Sequence, residues 1–216
     1  MVRQFAVIGL GRFGESLVRT LVGMGYQVLA IDSREDKVEE ISEVATRAVQ
    51  ADATEEAVLR ELGLRNFDVV VVAIGEDLQA SILVTVMLKE LGVKYVVAKA
   101  INELHGRVLE KVGADRVIYP ERDMGVRLAH QLVAKNVLDY IELSPDYGIE
   151  EIVAPSGLVN KTLGQLNLRA RLGIMVMAIK RPPDSVILAP GATDVIREGD
   201  VLVLVGKRSA LRHLEG

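Results

Sequence analysis

The sequence predicts an α/β fold: a doubly wound parallel sheet, a crossover helix, and a small α+β module at the C-terminal end. Three observations carry this expectation. Strand-like apolar runs alternate with helix-like periodic segments from the start to about residue 120. A G-x-G-x-x-G turn, Gly9-Leu10-Gly11-Arg12-Phe13-Gly14, stands between the first apolar run and the first helical segment. Beyond residue 139 the pattern changes to short strands, with turn signals at Pro182-Pro183-Asp184 and Glu198-Gly199-Asp200.

Apolar runs at residues 5–8, 28–31, 47–49, 69–74, 95–98 and 116–119 read as six parallel strands. Several are continuous rather than alternating, as strands covered on both faces require. Leu17, Val18, Leu21 and Val22 stripe the first helix, which Gly25 ends. Ser33 with Asp36 resembles a capping box for the second helix. Ile82, Leu83, Val86, Met87 and Leu91 give a later helix a broad apolar face ending at Gly92, and Val108, Leu109 and Val112 do the same before Gly113. Six strands with crossover helices make a Rossmann-like sheet in the order 3-2-1-4-5-6, occupying residues 1–123. Residues 124–138 read as one amphipathic helix, apolar at Val126, Leu128, Ala129, Leu132, Val133 and Val137. That face either packs on its own sheet or buries a dimer contact. Residues 139–216 form the last module, with strands at 140–143, 149–154, 174–179, 186–188 and 201–205 and one helix near 163–172.

Composition narrows the function. The chain has 216 residues, a net charge of -4, no cysteine, no tryptophan and three phenylalanines. Disulfides and thiolate catalysis are excluded. No basic field or aromatic platform points to nucleic acid. No apolar run approaches the ~18 residues of a membrane span, and no secretory signal pattern is visible, so a cytoplasmic protein is expected.

In an open α/β sheet the ligand sits outside the carboxyl ends of the strands. Gly9, Gly11 and Gly14 allow a tight turn and close approach of a pyrophosphate to the helix N-terminus. Arg12, beside Phe13 in the loop, has a forked guanidinium able to grip an additional phosphate, which argues for ATP or ADP rather than NAD alone. As alternatives, the loop is a plain βα turn and Arg12 a solvated surface residue. Asp32 ends the second strand, placed to accept ribose hydroxyls and to disfavour a 2′-phosphate, or else to cap the next helix. Asp52 either touches adenine or caps a helix near Thr54. Gly75 follows the fourth strand. Lys99 closes the fifth, reaching a terminal phosphate or snorkelling to solvent. Glu121, after Pro120, is a candidate ligand for a divalent cation near the phosphates, with a first-turn helix acid as the alternative.

Two rival readings lack parts. An NAD-dependent oxidoreductase, or a redox-sensing NAD-binding regulator, shares the fold, but hydride transfer needs a positioned acid or base. His105, His130 and His213 are not read at strand ends, and no Ser–Lys pair or zinc pattern replaces them. A DNA regulator would need a basic recognition helix. A non-enzymatic role is expected.

The quoted loop, together with Ala51-Asp52-Ala53-Thr54, Val72-Ala73-Ile74-Gly75, the run from Val108 to Arg116 and Pro120-Glu121-Arg122-Asp123-Met124-Gly125, resembles the cytosolic regulator-of-potassium-conductance (RCK/KTN, TrkA-type) family. Within it the gating subunits of Ktr-type potassium uptake systems are the best match. Leu166-Asn167-Leu168-Arg169-Ala170 and Ile196-Arg197-Glu198-Gly199-Asp200 resemble the family's second module. The resemblance implies homodimers assembled into an octameric ring beneath a membrane-embedded potassium-translocating subunit. It implies binding of ATP or ADP, in some members NAD or NADH, with Ala53 and Ile74 joining the site. Arg12 would reach the γ-phosphate of the partner subunit's nucleotide. Glu121 would help place magnesium or calcium between the two nucleotides of a dimer. Asn167, Arg169, Ala170 and Pro190 would contact cyclic di-AMP in the C-terminal module.

Overall fold

Parallel strands with helices on both faces must bury nearly every side chain, which explains the apolar runs of the first half. In the computed structural model, which describes residues 3–133 and 137–214, six such strands form one parallel sheet. They are β1 (Gln4–Ile8), β2 (Gln27–Asp32), β3 (Arg47–Gln50), β4 (Val69–Val72), β5 (Val96–Lys99) and β6 (Arg116–Ile118). Their order is β3-β2-β1-β4-β5-β6, as the sequence predicts. Helices α1 (Arg12–Gly23), α2 (Glu35–Ser42), α3 (Glu56–Glu61), α4 (Leu78–Glu90) and α5 (Glu103–Lys111) follow the first five strands in turn. Side chains alternate across the sheet. Ala6 and Ile8 of β1 join a core with Ile31, Leu59, Leu88 and Leu109, while Val7 joins Leu10, Val18, Val28 and Ile41 on the other face.

Helix ends follow local chemistry. Gly25, Gly92 and Gly113 follow α1, α4 and α5 with φ of 85°, 77° and 101°, a region that glycine enters without a Cβ penalty. The Ser33–Asp36 capping box is not formed. Arg34 is the N-cap residue of α2, and its own N–H is taken by Asp32 Oδ1 at 2.9 Å, so Asp32 organises this turn. The apolar face of α4 is rotated from the predicted one: Val84, Met87 and Leu88 are buried and Leu83 is exposed. From Ile82 to Leu88 every residue but Thr85 is apolar, so periodicity marks no single stripe there. Thr85 is buried with them because its Oγ1 donates to Ser81 O at 2.8 Å.

The chain divides into two units after Glu121. Helix α6 (Pro120–Val133) starts at a proline, whose missing N–H costs nothing in a first turn. It begins four residues before the predicted start at 124, and Leu138 lies not in it but in β7 (Val137–Ser144). The side chains of His130, Val133 and Val137 lie outside the described residues. Together with β8 (Tyr147–Val153), β9 (Met175–Arg181), β10 (Ser185–Leu188) and β11 (Val201–Lys207), β7 makes an antiparallel sheet in the order β10-β9-β11-β8-β7. The predicted helix at 163–172 is two short ones, α7 (Leu163–Leu166) and α8 (Leu168–Leu172), because Asn167 between them is left-handed with φ of 43°. A short α9 (Arg208–Leu211) completes the unit. Its core gathers Ile152, Ile174, Ile179, Ile196, Leu202 and Leu204. Asp200, fully buried, accepts from Arg181 Nε at 2.9 Å and Nη2 at 2.8 Å and from the Arg197 N–H at 2.8 Å. The Arg181 guanidinium holds its carboxyl below the usual range.

Candidate functional site

The carboxyl ends of the parallel strands open onto a cleft of about 970 Å³. Gly9, Gly11, Arg12, Phe13, Asp32, Asp52, Ala53, Ile74, Gly75, Lys99 and Glu121 all line it. Eleven of the twelve site residues expected in this half of the chain are thus brought together. The twelfth, Gly14, lies behind the loop.

Each glycine has its own reason. Gly9 takes φ of 95°, and a Cβ there would stand 3.0 Å from Ala73 C and Ile74 N. A Cβ on Gly14 would meet Gly9 O at 1.9 Å, so Gly14 lets α1 seat against the loop. At Gly11, the N-cap of α1, φ is -64° and a Cβ would meet no heavy atom within 4 Å. Neither backbone conformation nor packing demands glycine there. Gly11 thus leaves the cleft open beside the backbone at the start of α1.

Asp32 fixes the loop as well as facing the cleft. Its Oδ2 accepts from the Leu10 N–H at 2.7 Å and its Oδ1 from the Arg34 N–H at 2.9 Å. The carboxylate is thereby oriented at the end of β2, with lone pairs left for further donors. Asp52 does not cap α3, whose N-cap is Glu55. It accepts instead from the Thr54 N–H at 2.9 Å and the Thr54 hydroxyl at 2.6 Å, and these bonds hold its carboxyl below the usual range, the hydroxyl foremost.

Lys99 is buried rather than snorkelled. Its Nζ donates to Glu121 Oε1 at 2.6 Å and lies 5.9 Å from the centre of the Phe13 ring. The Lys99 hydrogen bond is the main reason that the Glu121 carboxyl sits below the usual range. Arg12 is exposed at the first position of α1, and no carboxylate among the described residues pairs with it. The cleft also includes Ser33, Arg34, Thr54, Ala80 and Ile101, which the sequence did not mark as site residues. Asp77, also at the rim, caps α4 through the Ala80 N–H at 2.9 Å, so a second helix N-terminus faces the same space.

Elsewhere, Asn167, Arg169 and Ala170 stand exposed at the α7–α8 corner, and Pro190 is half-buried in the loop after β10. That loop meets α7 through the Gly164 N–H and Ala192 O at 2.8 Å. His105 is buried with neither ring nitrogen bonded, and burial lowers its pKa, favouring the neutral ring. Among the described residues no group of three or more His, Cys, Asp or Glu forms a metal site, and no helix is long and apolar enough to cross a membrane.

Comparison with known proteins agrees with this architecture. The TrkA-N domain matches residues 5–120 and the TrkA-C domain residues 149–215. The Ktr system potassium uptake protein C of Bacillus subtilis (strain 168) is 51% identical over 100% of this chain and 97% of its own length. The chain belongs to the Ktr potassium uptake protein family. Other Ktr relatives agree: protein A of the same bacterium is 49% identical, covering 99% of this chain and 96% of the relative, and that of Vibrio alginolyticus 43%, covering 98% and 96%. Among solved structures, the GsuK channel superposes with a TM-score of 0.71 at 21% identity, covering all of this chain and 39% of that one. The GsuK channel bound to NAD gives 0.68 at 20%, covering all of this chain and 40% of that one. The Ktr-family chain therefore shares its fold with a segment spanning under half of those channel chains.

Proposed function

We propose that this chain is the nucleotide-binding regulatory subunit of a potassium uptake system, with no catalytic role of its own. The carrying observation is the cleft at the strand ends, where Gly11 keeps open space, Lys99 is buried and Arg12 is unpaired among the described residues. Relatives of 43–51% identity are named potassium uptake proteins across their whole length, which supports the transport role.

The residues fit an adenosine polyphosphate, which supplies charge and contact rather than chemistry. The loop N–H groups and the α1 dipole face its phosphates, Arg12 and Lys99 supply cationic partners, and Asp32 is oriented towards a ribose. NAD or NADH is the second reading, favoured by the same Asp32 and by the NAD-bound channel of like fold. A divalent cation near the phosphates would draw on Glu121. Magnesium commonly takes one or two carboxylates and completes its shell with phosphates and water, so this fit requires bound nucleotide.

Regulation then means population shift. ATP must bind one conformation better than ADP does, by roughly 1–3 kcal/mol per coupled site. The conformations belong to a homodimer built into an octameric ring, whose target is a membrane-embedded potassium-translocating subunit. Cyclic di-AMP at Asn167, Arg169, Ala170 and Pro190 is the corresponding proposal for the second unit. Calorimetry with ATP, ADP, NADH and cyclic di-AMP, each with and without magnesium or calcium, tests these points together. Saturable binding of ATP and ADP is expected. An indifferent chain at millimolar ATP and ADP defeats the reading.

A further inference from the structure

Inside the cleft, the cation best placed for a phosphate already has a partner. Lys99 Nζ and Glu121 Oε1 are 2.6 Å apart, and the pair is asymmetric: the lysine side chain is 11% exposed, the glutamate 69%. A Cβ on Gly75 would lie 3.2 Å from Lys99 Nζ, so the ammonium stands over the loop that follows β4. The adjoining Ile74 backbone is what a Cβ on Gly9 would meet, at 3.0 Å. With the Phe13 ring centre 5.9 Å away, the ammonium is anchored beside the glycine loop from two sides.

A largely buried ammonium is costly without a counter-charge. Glu121 supplies that charge from the first turn of α6, while keeping most of its own hydration. Such a carboxylate gives up its partner cheaply, because water already surrounds it. A polyphosphate arriving at the glycine loop offers Lys99 a denser anion at the same place.

We propose that Glu121 is an internal counter-ion that competes with the phosphate oxygens of the bound nucleotide for Lys99. This rests on the nucleotide-binding reading above and adds a device of selection to it. Ligands are ranked by the negative charge they bring to Lys99, because each must displace a resident carboxylate. The displaced group belongs to α6, which begins in the first unit and continues into the second. The exchange at Lys99 is thus felt by the segment that joins them.

The test is a mutant cycle of ATP and ADP affinity by calorimetry in EDTA, where Glu121 has no cation to serve. The variants are Glu121→Gln, Lys99→Met and both together, with adenosine as the phosphate-free control. Competition predicts that Glu121→Gln tightens ATP binding about three- to tenfold, the scale of a partly exposed charge pair. Lys99→Met weakens ATP binding, and adding Glu121→Gln to it changes the affinity by less than about twofold, because the two effects share one contact. Adenosine binding stays level throughout. Unchanged or weaker ATP binding by Glu121→Gln overturns the proposal. So does equal tightening with and without Lys99, the mark of plain repulsion through space. A wild type that binds neither ATP nor ADP overturns the nucleotide reading itself, and this one with it.

Discussion

At Arg12 the chain places an exposed guanidinium on the first residue of a helix, in the lining of a cleft, with no carboxylate among the described residues to hold it. A fork of N–H donors at a positive helix end suits a phosphate beyond the one cradled by the loop. Arg12→Ala is therefore expected to weaken ATP binding about ten- to hundredfold, the scale of one charge-assisted contact, while ADP changes by less than about threefold. Calorimetry with the two nucleotides decides it, and an equal loss for both removes Arg12 from the switch. Asp32 shows where residue-scale reading stops. Its place at the end of the second strand is visible in the sequence. Its grip on the Leu10 N–H at 2.7 Å is not, since that bond joins residues 22 apart and exists only once two strands lie side by side.

Among the elements, the loop from β1 to α1 separates two roles that one sequence motif conceals. Gly14 is required by packing, because a Cβ there would overlap Gly9 O at 1.9 Å. Gly11 has open space around it within 4 Å. Gly14→Ala should destabilise the first unit by roughly 1–3 kcal/mol or more, the usual range for a forced clash in a packed region. Gly11→Ala should leave the melting temperature within a few degrees yet reduce ATP affinity at least about tenfold. Thermal unfolding beside calorimetry separates them, and a Gly11→Ala variant with normal affinity would remove the ligand explanation for that glycine. The same contrast explains what the sequence revealed. Strand order followed from continuous apolar runs joined by crossover helices, and nine cleft residues followed from their position after strands, with Ala53 and Ile74 added by the family resemblance. The face of α4 did not, because the run from Ile82 to Leu88, apolar but for Thr85, has no stripe until neighbours choose one. Nor did the break at Asn167, where a single left-handed residue interrupts a segment otherwise rich in leucine and arginine. Ser33 and Asp36 fit a capping box by type, but Asp32 reaches the same turn first.

For the molecule as a whole, α6 presents an apolar stripe that needs covering. Met124, Leu128 and Leu132 recur every four residues, so they share one side of the helix, and they are 60%, 48% and 76% exposed. Three large apolar side chains in line exceed the scattered exposure that a monomer surface tolerates without reason. A second copy of the chain is the occupant proposed here, and a two-fold contact places each of these residues in the interface twice. A stable dimer of standard size buries about 1,600 Å² in total, so α6 would supply the centre of the contact rather than all of it. Burying one leucine is worth about 1.5–3 kcal/mol, and a two-fold interface counts it twice. Leu128→Asp, which also sets two carboxylates across from apolar surface, should weaken self-association at least about hundredfold. Light scattering on a concentration series reads this directly, with circular dichroism confirming that the variant is folded. The expected result is a wild-type dimer or larger assembly at micromolar concentration and a smaller species for the variant. If both have the same mass at every concentration, the α6 stripe is not where the copies meet.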